Sequence, residues 1–492
     1  MATLLDLLER SARNFPEDTA IRSPRQEASL TWRELRRLAL AGAGALAAQG
    51  VRPGDRVGML LGNTIEFGPA FFAILYAGAV AVPVHARLTA GEARGILAHA
   101  EAAAVVCSPE TAGLAGEGRR ILTPEELRRG PAPAAALAVT SLDDAEVLYT
   151  SGTTGDPKGV VMTHAAVVET AAMAAYEFGM RPRERVAVLM PLTHSAPLNL
   201  FFLGSVYTGS TVVLDAFNPR DPAAMLAALA AEGAQYLFAA PVAYLLGLKA
   251  DPSQYDLSAM KTWIYGGAPM SAQQVRAVRQ AYGGRWMSVY GLTESGPNGM
   301  ALGDEDHERK AGSIGWHPTV NTEVRLLGDA GEDVAPDVPG ELVMRTPSAM
   351  RGYLKNPEAT AAVLRDGWIH TGDMAVRDQD GYYWMLDRKK DLILSGGYNV
   401  YPREVEEAIL THPAVADVAV VATPHPEWGE TVTAVVVLKE GGSLTLEELR
   451  GHLRPMLASQ KHPRRLEIGE TLPRNATGKL LRHELRDRLA QR

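Results

Sequence analysis

Residues 149–159 read Tyr-Thr-Ser-Gly-Thr-Thr-Gly-Asp-Pro-Lys-Gly, a stretch that combines three glycines, several hydroxyl side chains and one lysine. Glycine lets the backbone approach a ligand closely, and successive backbone N–H groups can then form an anion-binding concavity. The hydroxyls can donate hydrogen bonds to phosphate oxygens, and Lys158 adds a positive charge. This stretch therefore predicts a loop that wraps a polyphosphate.

Two commoner nucleotide-binding motifs do not fit the sequence. Residues 145–148 predict a strand before the loop, but Pro157 stands where a P-loop has a glycine before its lysine. Residues 42–47, Gly-Ala-Gly-Ala-Leu-Ala, imitate a dinucleotide fingerprint, yet they follow the helix-capping pattern Thr31-x-x-Glu34 rather than a strand. We therefore expect residues 42–47 to pack inside a helix.

Length and composition are those of a globular protein with more than one domain. The chain has 492 residues, of which 46% are hydrophobic and 22% charged, with a net charge of −8. It has no dense basic stretch for nucleic acid, no apolar run long enough for a transmembrane segment, and no secretory signal pattern at its start. The one cysteine, Cys107, is expected to be a buried core thiol. A cytoplasmic location is the resulting expectation.

The order of strand-like and helix-like segments predicts an α/β fold. Strands and helices alternate over the first 290 residues, which favours largely parallel sheets with ligands at the carboxyl ends of the strands. Short strands after residue 313 indicate a small barrel-like β-region, and an α+β segment follows the charged residues 387–391. We expect a large N-terminal domain of parallel-rich sheets and helices, residues 1–386, and a small mobile α+β C-terminal domain, residues 387–492, with a hinge at Asp387. The strands predicted for the first part are 56–62, 79–84, 103–108, 185–190, 211–214, 235–239, 262–265 and 286–290.

Five further segments carry residues suited to nucleotide chemistry. Small residues at 266–269 could admit a flat ring against the backbone, and residues 290–295 offer an aromatic face and a carboxylate able to hold Mg²⁺. Thr371-Gly372-Asp373 places a carboxylate suited to a ribose diol. The segment 387–402 joins the charged residues to a second glycine turn, and the segment 473–479 ends in a lysine after a glycine.

In this order and spacing the segments closely resemble the adenylate-forming superfamily, which contains acyl-CoA synthetases, peptide-synthetase adenylation domains and luciferases. The resemblance covers essentially the whole chain. It implies binding of ATP phosphates by Thr150, Ser151, Gly152, Thr153, Thr154 and Lys158, of adenine beside Gly267, Ala268, Pro269, Tyr290 and Gly291, and of ribose by Asp373 and Arg388. It also implies Thr293 at the α-phosphate, Glu294 at Mg²⁺, Lys479 and His194 as further catalytic residues, and Gly396 and Gly397 beside the pantetheine of CoA.

The resemblance also implies a two-step reaction. A carboxylate attacks the α-phosphorus of ATP to give acyl-adenylate and pyrophosphate, and a thiol then takes the acyl group while AMP leaves. The first step brings two anions together, so Mg²⁺ and the two lysines would offset their repulsion. One site cannot hold both sets of groups at once, which explains a small domain that rotates about Asp387.

The acid is expected to be an apolar monocarboxylate, fatty or aryl. His194 aligns with a histidine that the family keeps beside the carboxylate, although a core histidine is an alternative reading and Thr193 replaces the usual aromatic residue. Residues 193–214 contain no acidic residue to pair with an α-amino group and no arginine for a second carboxylate. The residues predicted to line the acyl pocket are Ser195, Ala196, Leu200 and Tyr236.

Three alternatives to a CoA ligase remain open at this point. The chain could load a carrier protein, stop at the acyl-adenylate, or serve as a catalytically silent nucleotide-sensing module. The expected partners are small molecules, namely a carboxylic acid, ATP and CoA, and a homodimer is one possible assembly.

Overall fold

The structure is a computed structural model that describes residues 2–131, 138–150, 157–215, 218, 221–268, 270–395, 398–425, 428–474 and 480–490. Its α-helices are α1 (Leu4–Asn14), α2 (Trp32–Ala48), α3 (Phe67–Tyr76), α4 (Ala90–His99), α5 (Ala112–Ala115), α6 (Pro124–Arg128), α7 (His164–Phe178), α8 (Leu203–Thr208), α9 (Pro222–Glu232), α10 (Pro241–Gly247), α11 (Ala272–Tyr282), α12 (His307–Lys310), α13 (Pro357–Val363), α14 (Pro402–Leu410), α15 (Leu446–Leu453) and α16 (Arg482–Ala490).

The strands follow in chain order: β1 (Thr19–Ser23), β2 (Ala28–Thr31), β3 (Arg56–Leu60), β4 (Val80–Pro83), β5 (Ala104–Cys107), β6 (Arg120–Leu122), β7 (Asp144–Thr150), β8 (Lys158–Thr163), β9 (Arg185–Val188), β10 (Thr211–Leu214), β11 (Tyr236–Ala239), β12 (Thr262–Gly266), β13 (Arg285–Gly291), β14 (Gly299–Leu302), β15 (His317–Pro318), β16 (Glu323–Leu327), β17 (Gly340–Arg345), β18 (Gly352–Tyr353), β19 (Leu364–Arg365), β20 (Trp368–Arg377), β21 (Tyr383–Arg388), β22 (Ile393–Ser395), β23 (Tyr398–Val400), β24 (Val415–His425), β25 (Gly429–Leu438) and β26 (Arg465–Ile468).

Two large sheets form the N-terminal part. Within the described ranges, nine strands pair in the order β15-β14-β13-β12-β11-β9-β10-β1-β2, and the central run from β13 to β1 is parallel. Seven strands form the second sheet in the order β18-β8-β7-β4-β3-β5-β6, parallel from β7 to β6. Helix α3, in which residues 67–75 are all buried, packs with residues of both sheets in one hydrophobic cluster. The core between these sheets is therefore what holds the carboxyl ends of their strands in place.

The remaining strands form two smaller sheets. In the part of the chain that the structure describes, β16-β17-β20-β19 with β21 on β20 is an antiparallel sheet of five strands. The strands β23-β22-β25-β24 form a second antiparallel run, to which β26 adds in parallel on β25. The second of these packs with α14 and α15 in a separate hydrophobic cluster. A large N-terminal part and a smaller α+β C-terminal part, as the sequence predicted, are both present.

The local sequence accounts for many element boundaries. Thr31 accepts a hydrogen bond from the backbone of Glu34, whose carboxylate bonds back, and this capping box begins α2. Residues 42–47 lie inside that helix, as predicted, and a β-carbon on Gly42 would come within 2.6 Å of Ala73 in α3. Glycine there lets the two helices approach closely. Among the described helices, none combines the length and hydropathy of a membrane span.

The predicted hinge differs from expectation in one respect. The sequence predicts that the charged segment 387–391 ends the pattern of short strands at Asp387. In the structure β21 continues through Asp387 and Arg388, which pair with Met374 and Asp373 of β20. The first strand of the C-terminal sheet begins at Ile393. The change from one sheet to the next therefore falls between Arg388 and Ile393.

Candidate active site

The candidate site lies where the parallel strands of the nine-stranded sheet end. Strand β12 ends at Gly266 and the neighbouring β13 at Gly291, so the segments that follow them share one edge of the sheet. Gly267 has a φ of +74°, and a β-carbon there would meet nothing within 4 Å. Ala268 follows and is half-buried, while Pro269 lies outside the described residues. The open backbone at Gly267 leaves room for a flat ring, and adenine binding at this position stays a prediction.

The residues predicted for adenine and ribose share one buried carboxylate. Tyr290 donates its phenolic hydrogen bond to Oδ2 of Asp373 at 2.6 Å, and Nε of Arg388 lies 2.5 Å from Oδ1. Asp373 is only 4% exposed. Burial, together with the Asp373 charge, raises the pKa of Tyr290 well above its ordinary value, so the phenol keeps its proton. Each carboxylate oxygen has a second lone pair that could accept a ribose hydroxyl.

The predicted phosphate loop follows one of two paired strands and precedes the other. Thr150 ends β7 and Lys158 begins β8, and the two residues are opposite each other in the antiparallel ladder. Residues 151–156, which include the predicted phosphate ligands Ser151, Gly152, Thr153 and Thr154, lie outside the described residues. The structure therefore places the residues on either side of this loop together, at the carboxyl end of β7.

Sequence reasoning missed a tyrosine that contacts both Lys158, predicted to bind phosphate, and Glu294, predicted to bind the metal ion. The ammonium of Lys158 lies 5.1 Å from the ring centroid of Tyr353, and the phenol of Tyr353 donates to Oε1 of Glu294 at 2.7 Å. Tyr353 reaches this position because β18 pairs with β8, opposite Val160. The one available signal was Gly352-Tyr353 itself, an aromatic residue after a glycine, which is too weak to identify a site.

The donor set around Glu294 fits a magnesium ion held mostly by phosphates. Its Oε1 atom accepts from Tyr353, and its Oε2 atom receives no hydrogen bond from a described residue. No group of three or more His, Cys, Asp or Glu side chains in the described ranges could hold a metal alone. Mg²⁺ commonly takes one or two protein carboxylates and completes its shell with substrate phosphates and water. Glu294 could supply that carboxylate when ATP is bound.

The residues predicted for the acid meet the residues predicted for the α-phosphate. The hydroxyl of Ser195 lies 3.0 Å from that of Thr293. Ser195 directly precedes a π-helical segment, Ala196–Phe202, and such segments occur frequently at functional sites. Ala196 begins this segment, and Leu200 within it is fully buried in the main core. Of the predicted acyl-pocket residues, Ser195 thus contacts a residue predicted to bind the nucleotide.

His194 presents an unsatisfied nitrogen close to this contact. Its Nε2 atom is buried and has no hydrogen-bond partner among the described residues. Burial, helped by the neighbouring ring of His85, lowers the pKa of His194 to about 4, and the two ring centroids are 6.1 Å apart. The imidazole is therefore neutral near pH 7, and its free nitrogen could bond to a substrate.

Tyr236, the last of the predicted pocket residues, lies at the amino end of its strand. It is the first residue of β11, so about 10 Å of strand separates it from Ala239 at the carboxyl end. Its phenol donates to Oε2 of Glu184 at 2.9 Å and lies 3.1 Å from the carbonyl oxygen of Gly179. These hydrogen bonds tie the amino end of β11, in the nine-stranded sheet, to Gly179 and Glu184.

The predicted hinge carboxylate contacts two segments of the C-terminal part. Oδ1 of Asp387 accepts from the backbone of Arg388 at 2.7 Å, and Oδ2 accepts from the backbone of Arg403 in α14 at 3.0 Å. Nη1 of Arg482, the first residue of α16, lies 3.8 Å from Oδ1, while its Nη2 bonds both carboxylate oxygens of Glu406 at 2.7 Å. Lys479, Gly396 and Gly397 lie outside the described residues.

The sequence matches two family models that together cover most of its length. Residues 8–354 match the AMP-binding enzyme model, and residues 404–479 match the AMP-binding enzyme C-terminal domain. A feruloyl-CoA synthase of Amycolatopsis is 39% identical over 485 residues, which is 97% of each chain. A long-chain-fatty-acid–CoA ligase of Mycobacterium tuberculosis is 33% identical over 500 residues, covering 98% of this chain and 97% of that one.

A solved structure extends the likeness to the whole fold. The o-succinylbenzoate CoA synthetase of Bacillus subtilis, in complex with its acyl-adenylate intermediate, aligns with a TM-score of 0.89 and 29% identity over 98% of each chain. The same enzyme with ATP and a magnesium ion aligns with a TM-score of 0.87 and 29% identity over 97% of this chain and 98% of that chain. The α/β fold predicted from the sequence is confirmed by this agreement. The chain thus belongs to the AMP-binding enzyme family, the adenylate-forming superfamily that its motifs predicted.

Proposed function

We propose that this protein is an AMP-forming ligase that activates an apolar monocarboxylic acid and transfers the acyl group to CoA, with aryl acids of the ferulic type first among the candidates. The enzyme uses ATP, Mg²⁺ and CoA, as its family membership and its adenylate-bound structural relative indicate. The feruloyl-CoA synthase likeness supports the choice of aryl acid, and the fatty-acid ligase likeness keeps long-chain acids in the same class.

The observation that carries the proposal is the convergence of the nucleotide residues on the acid residues. Ser195, on the segment predicted for the acid, touches Thr293, predicted for the α-phosphate. Glu294 is the next residue, and Tyr353 connects it to Lys158 at the phosphate loop. A carboxylate bound beside Ser195 would therefore face the phosphorus that it must attack.

The first step has a charge problem that these residues address. The carboxylate oxygen bonds to the α-phosphorus, the bond to the bridging oxygen breaks, and pyrophosphate leaves with the electron pair. Lys158 and Lys479 would place positive charge against the phosphates, and neutral His194 adds no charge of either sign. A magnesium ion at Glu294 would neutralise part of the triphosphate charge.

The second step requires a thiol at the acyl carbon in place of Lys479. We propose that residues 387–492 rotate about Asp387, bringing the Gly396-Gly397 turn to the site so that pantetheine can pass close to its backbone. The change of sheet between Arg388 and Ile393 supports a boundary near this residue. A cytoplasmic location and a homodimer remain predictions from the sequence.

The apolar character of the acid is supported by what the segment after His194 contains. Residues 193–214 have no acidic residue and no arginine, so neither an α-amino group nor a second carboxylate would find an opposite charge there. The π-helical segment Ala196–Phe202 contributes mainly apolar side chains. These features favour fatty or aryl monocarboxylates over amino acids and dicarboxylates.

Pyrophosphate release with a panel of acids tests the proposal. The purified enzyme is incubated with ATP, Mg²⁺ and either ferulic, cinnamic, benzoic, dodecanoic, malonic or an α-amino acid, and kcat/KM is measured for each. We expect release with the apolar monocarboxylates and formation of thioester only when CoA is added. A carrier-loading ligase would form adenylate but no CoA thioester. Absence of pyrophosphate release with every acid would overturn the proposal in favour of a silent nucleotide-binding module.

A further inference from the structure

A buried glutamate and a buried asparagine form a pair between the two halves of the candidate site. Glu146 lies on β7, opposite Ala81 of β4 and Met162 of β8, and is 0% exposed. Asn199 lies in the π-helical segment and is also 0% exposed. Nδ2 of Asn199 donates to Oε1 of Glu146 at 2.8 Å. Neither residue has a predicted role in ATP or acid binding.

The pair leaves two buried oxygens that a single proton would satisfy. Oε2 of Glu146 and Oδ1 of Asn199 both lack a hydrogen-bond partner among the described residues. An ionised carboxylate and an amide oxygen can only accept, and unpaired buried acceptors are costly. A carboxylic acid, by contrast, could donate from Oε2 to Oδ1 while Oε1 accepts from Nδ2. Both oxygens that now lack a partner would then have one, in a ring of two hydrogen bonds.

The surroundings of Glu146 favour this neutral form. Burial raises the pKa of Glu146 to about 7, opposed only by the hydrogen bond from Asn199. Its ladder neighbours are Ala81 and Met162 and its hydrogen-bond partner is Asn199, and none of the three is charged. Within the described ranges, no titratable or charged side chain of β4, β8 or the π-helical segment forms an ion pair with it. A proton is therefore retained far above the range usual for a glutamate.

The position of the pair links it to substrate binding. Glu146 lies four residues before Thr150, where β7 enters the phosphate loop, and Asn199 lies four residues after Ser195, which contacts Thr293. Fixing Asn199 to β7 therefore fixes the π-helical segment relative to the strand that carries the phosphate loop. The hydroxyl contact between Ser195 and Thr293 depends on that alignment.

We infer that Glu146 is a positioning residue that works in its protonated form: it holds Asn199 through two hydrogen bonds and thereby sets the acid-binding segment against the nucleotide residues. The inference rests on the proposed acid-activating function. It assigns to the enzyme a carboxylic acid that touches no substrate but controls acid affinity.

Four variants test the inference through pyrophosphate release, with the KM for the acid and the KM for ATP measured from pH 6.5 to pH 8.5. Glu146→Gln keeps both hydrogen bonds because its amide donates to Oδ1 and accepts from Nδ2 without needing a proton. Glu146→Leu and Asn199→Leu remove the pair at similar volume. Glu184→Leu is the matched control, since Glu184 is also a buried glutamate with partners, Tyr236 and Lys261, at the other edge of the sheet.

In the wild type we expect the KM for the acid to rise several-fold between pH 6.5 and pH 8.5 as Glu146 loses its proton. Glu146→Gln should keep the low value of the wild type across this range. Glu146→Leu and Asn199→Leu should raise the KM for the acid about tenfold at every pH, while the KM for ATP stays within twofold of the wild-type value. The control Glu184→Leu should lower thermal stability without changing the KM for the acid selectively.

Two results would overturn the inference. One is a wild-type pH profile that persists unchanged in Glu146→Gln, because the titrating group would then lie elsewhere. The other is a Glu146→Gln enzyme with the acid affinity of Glu146→Leu, if the leucine variant folds. Because Glu146→Gln is nearly isosteric, its profile decides the matter even if both leucine variants fail to fold. Absence of wild-type activity with all acids would instead count against the proposed function.

Discussion

Tyr353 donates its phenolic hydrogen bond to Glu294 at 2.7 Å while the ammonium of Lys158 lies over the same ring, 5.1 Å from its centroid. Lys158 and Glu294 therefore contact the same side chain, that of Tyr353. Burial and the Glu294 charge raise the pKa of Tyr353 above its ordinary value, so the phenol stays a donor throughout the physiological range. The hydrogen bond from Tyr353 fixes Oε1 of Glu294, and Oε2 of Glu294 is the oxygen predicted to bind a metal ion.

Tyr353→Phe should therefore weaken the binding of Mg²⁺ that adenylation requires. The ring and its contact with Lys158 remain, but Glu294 loses the donor that orients it, and a hydrogen bond to a charged group contributes about 1.5–3 kcal/mol. We expect kcat for adenylation to fall about tenfold and the magnesium concentration needed for half-maximal rate to increase. Pyrophosphate release at varied Mg²⁺ measures both.

Tyr382→Phe is the matched control for this prediction. Tyr382 donates its phenol to Asp306 at 2.6 Å, an equivalent phenol–carboxylate pair outside the predicted site. Its loss should lower stability and leave the magnesium dependence unchanged. An identical shift of magnesium dependence in both variants would show that Tyr353 acts only through general stability.

Asp373→Asn should selectively weaken ATP binding. The carboxylate of Asp373 anchors both Tyr290 and Arg388 and is the group predicted to bind the ribose hydroxyls. An amide keeps the size but removes the charge, so we expect the KM for ATP to rise about 10- to 100-fold with the KM for the acid nearly unchanged. Steady-state pyrophosphate release with each substrate varied in turn separates these effects.

Asp378→Asn provides the comparison on the same sheet. Asp378 lies in the turn after β20 and accepts from Lys310 and Trp384, each at 2.8 Å, but has no predicted contact with the nucleotide. It should leave the KM for ATP within twofold of the wild-type value. If Asp373→Asn did the same, the ribose assignment would be wrong.

The sequence predicted the architecture and the reaction because both depend on local patterns. Apolar runs placed a strand at 211–214 and a helix at 67–76, where the structure has β10 and α3. The glycine- and threonine-rich loop and the segments after it identified the adenylate-forming family, which the family matches confirm. These patterns need no knowledge of distant contacts.

Contacts between residues that are far apart in the chain could not be predicted from the sequence. Tyr353 meets Glu294 across 59 residues, through a two-residue strand with no recognisable pattern. Tyr236 was predicted to line the acyl pocket, and the bond from its phenol to Glu184, a residue 52 positions away, is a contact that the sequence pattern did not indicate. The roles assigned to the site residues stay predictions until variants are measured.

Asp387→Pro tests the proposed hinge. Proline fixes φ and would stiffen the backbone near the end of β21, just before the chain passes to the C-terminal sheet. We expect thioester formation from supplied acyl-adenylate to fall more than adenylation, because the second step requires the rotated domain. Separate assays of the two half-reactions measure this difference.

Asp387→Ala separates stiffness from loss of the carboxylate. Alanine removes the acceptor used by the backbone N–H groups of Arg388 and Arg403 but leaves the hinge free to rotate. It should reduce both half-reactions equally or neither. Greater damage to adenylation than to thioester formation in Asp387→Pro would contradict the hinge assignment.

Lys479→Ala should abolish adenylation and spare thioester formation from supplied acyl-adenylate. Lys479 is predicted to bridge the acid and the α-phosphate only in the first step, so its charge is not needed in the second. A loss of about 10²–10³ in rate is typical for one preorganised contact. Lys461→Ala, which removes a lysine paired with Glu404 in the same part of the chain, is the control. Equal loss in both half-reactions for Lys479→Ala would refute the assignment.

His194 should make the protein less stable as the pH falls. Burial lowers its pKa to about 4 in the folded protein, whereas an unfolded histidine titrates near 6.5. Below about pH 6.5 the unfolded chain therefore binds a proton that the folded protein resists, and stability is lost progressively down to about pH 4. Between pH 7.5 and pH 5.5 this amounts to about 1.4 kcal/mol.

Urea unfolding of the wild type and of His194→Leu at pH 7.5, 6.5 and 5.5 measures this effect. The wild type should lose stability on acidification relative to the leucine variant, which has no proton to bind at this position. The same comparison at saturating ATP and acid should show a smaller difference if the substrate carboxylate bonds the free Nε2 atom, because that bond favours a protonated ring and raises the pKa. A stability difference that stays constant with pH, or one that grows in favour of the wild type, would contradict a buried neutral imidazole at His194.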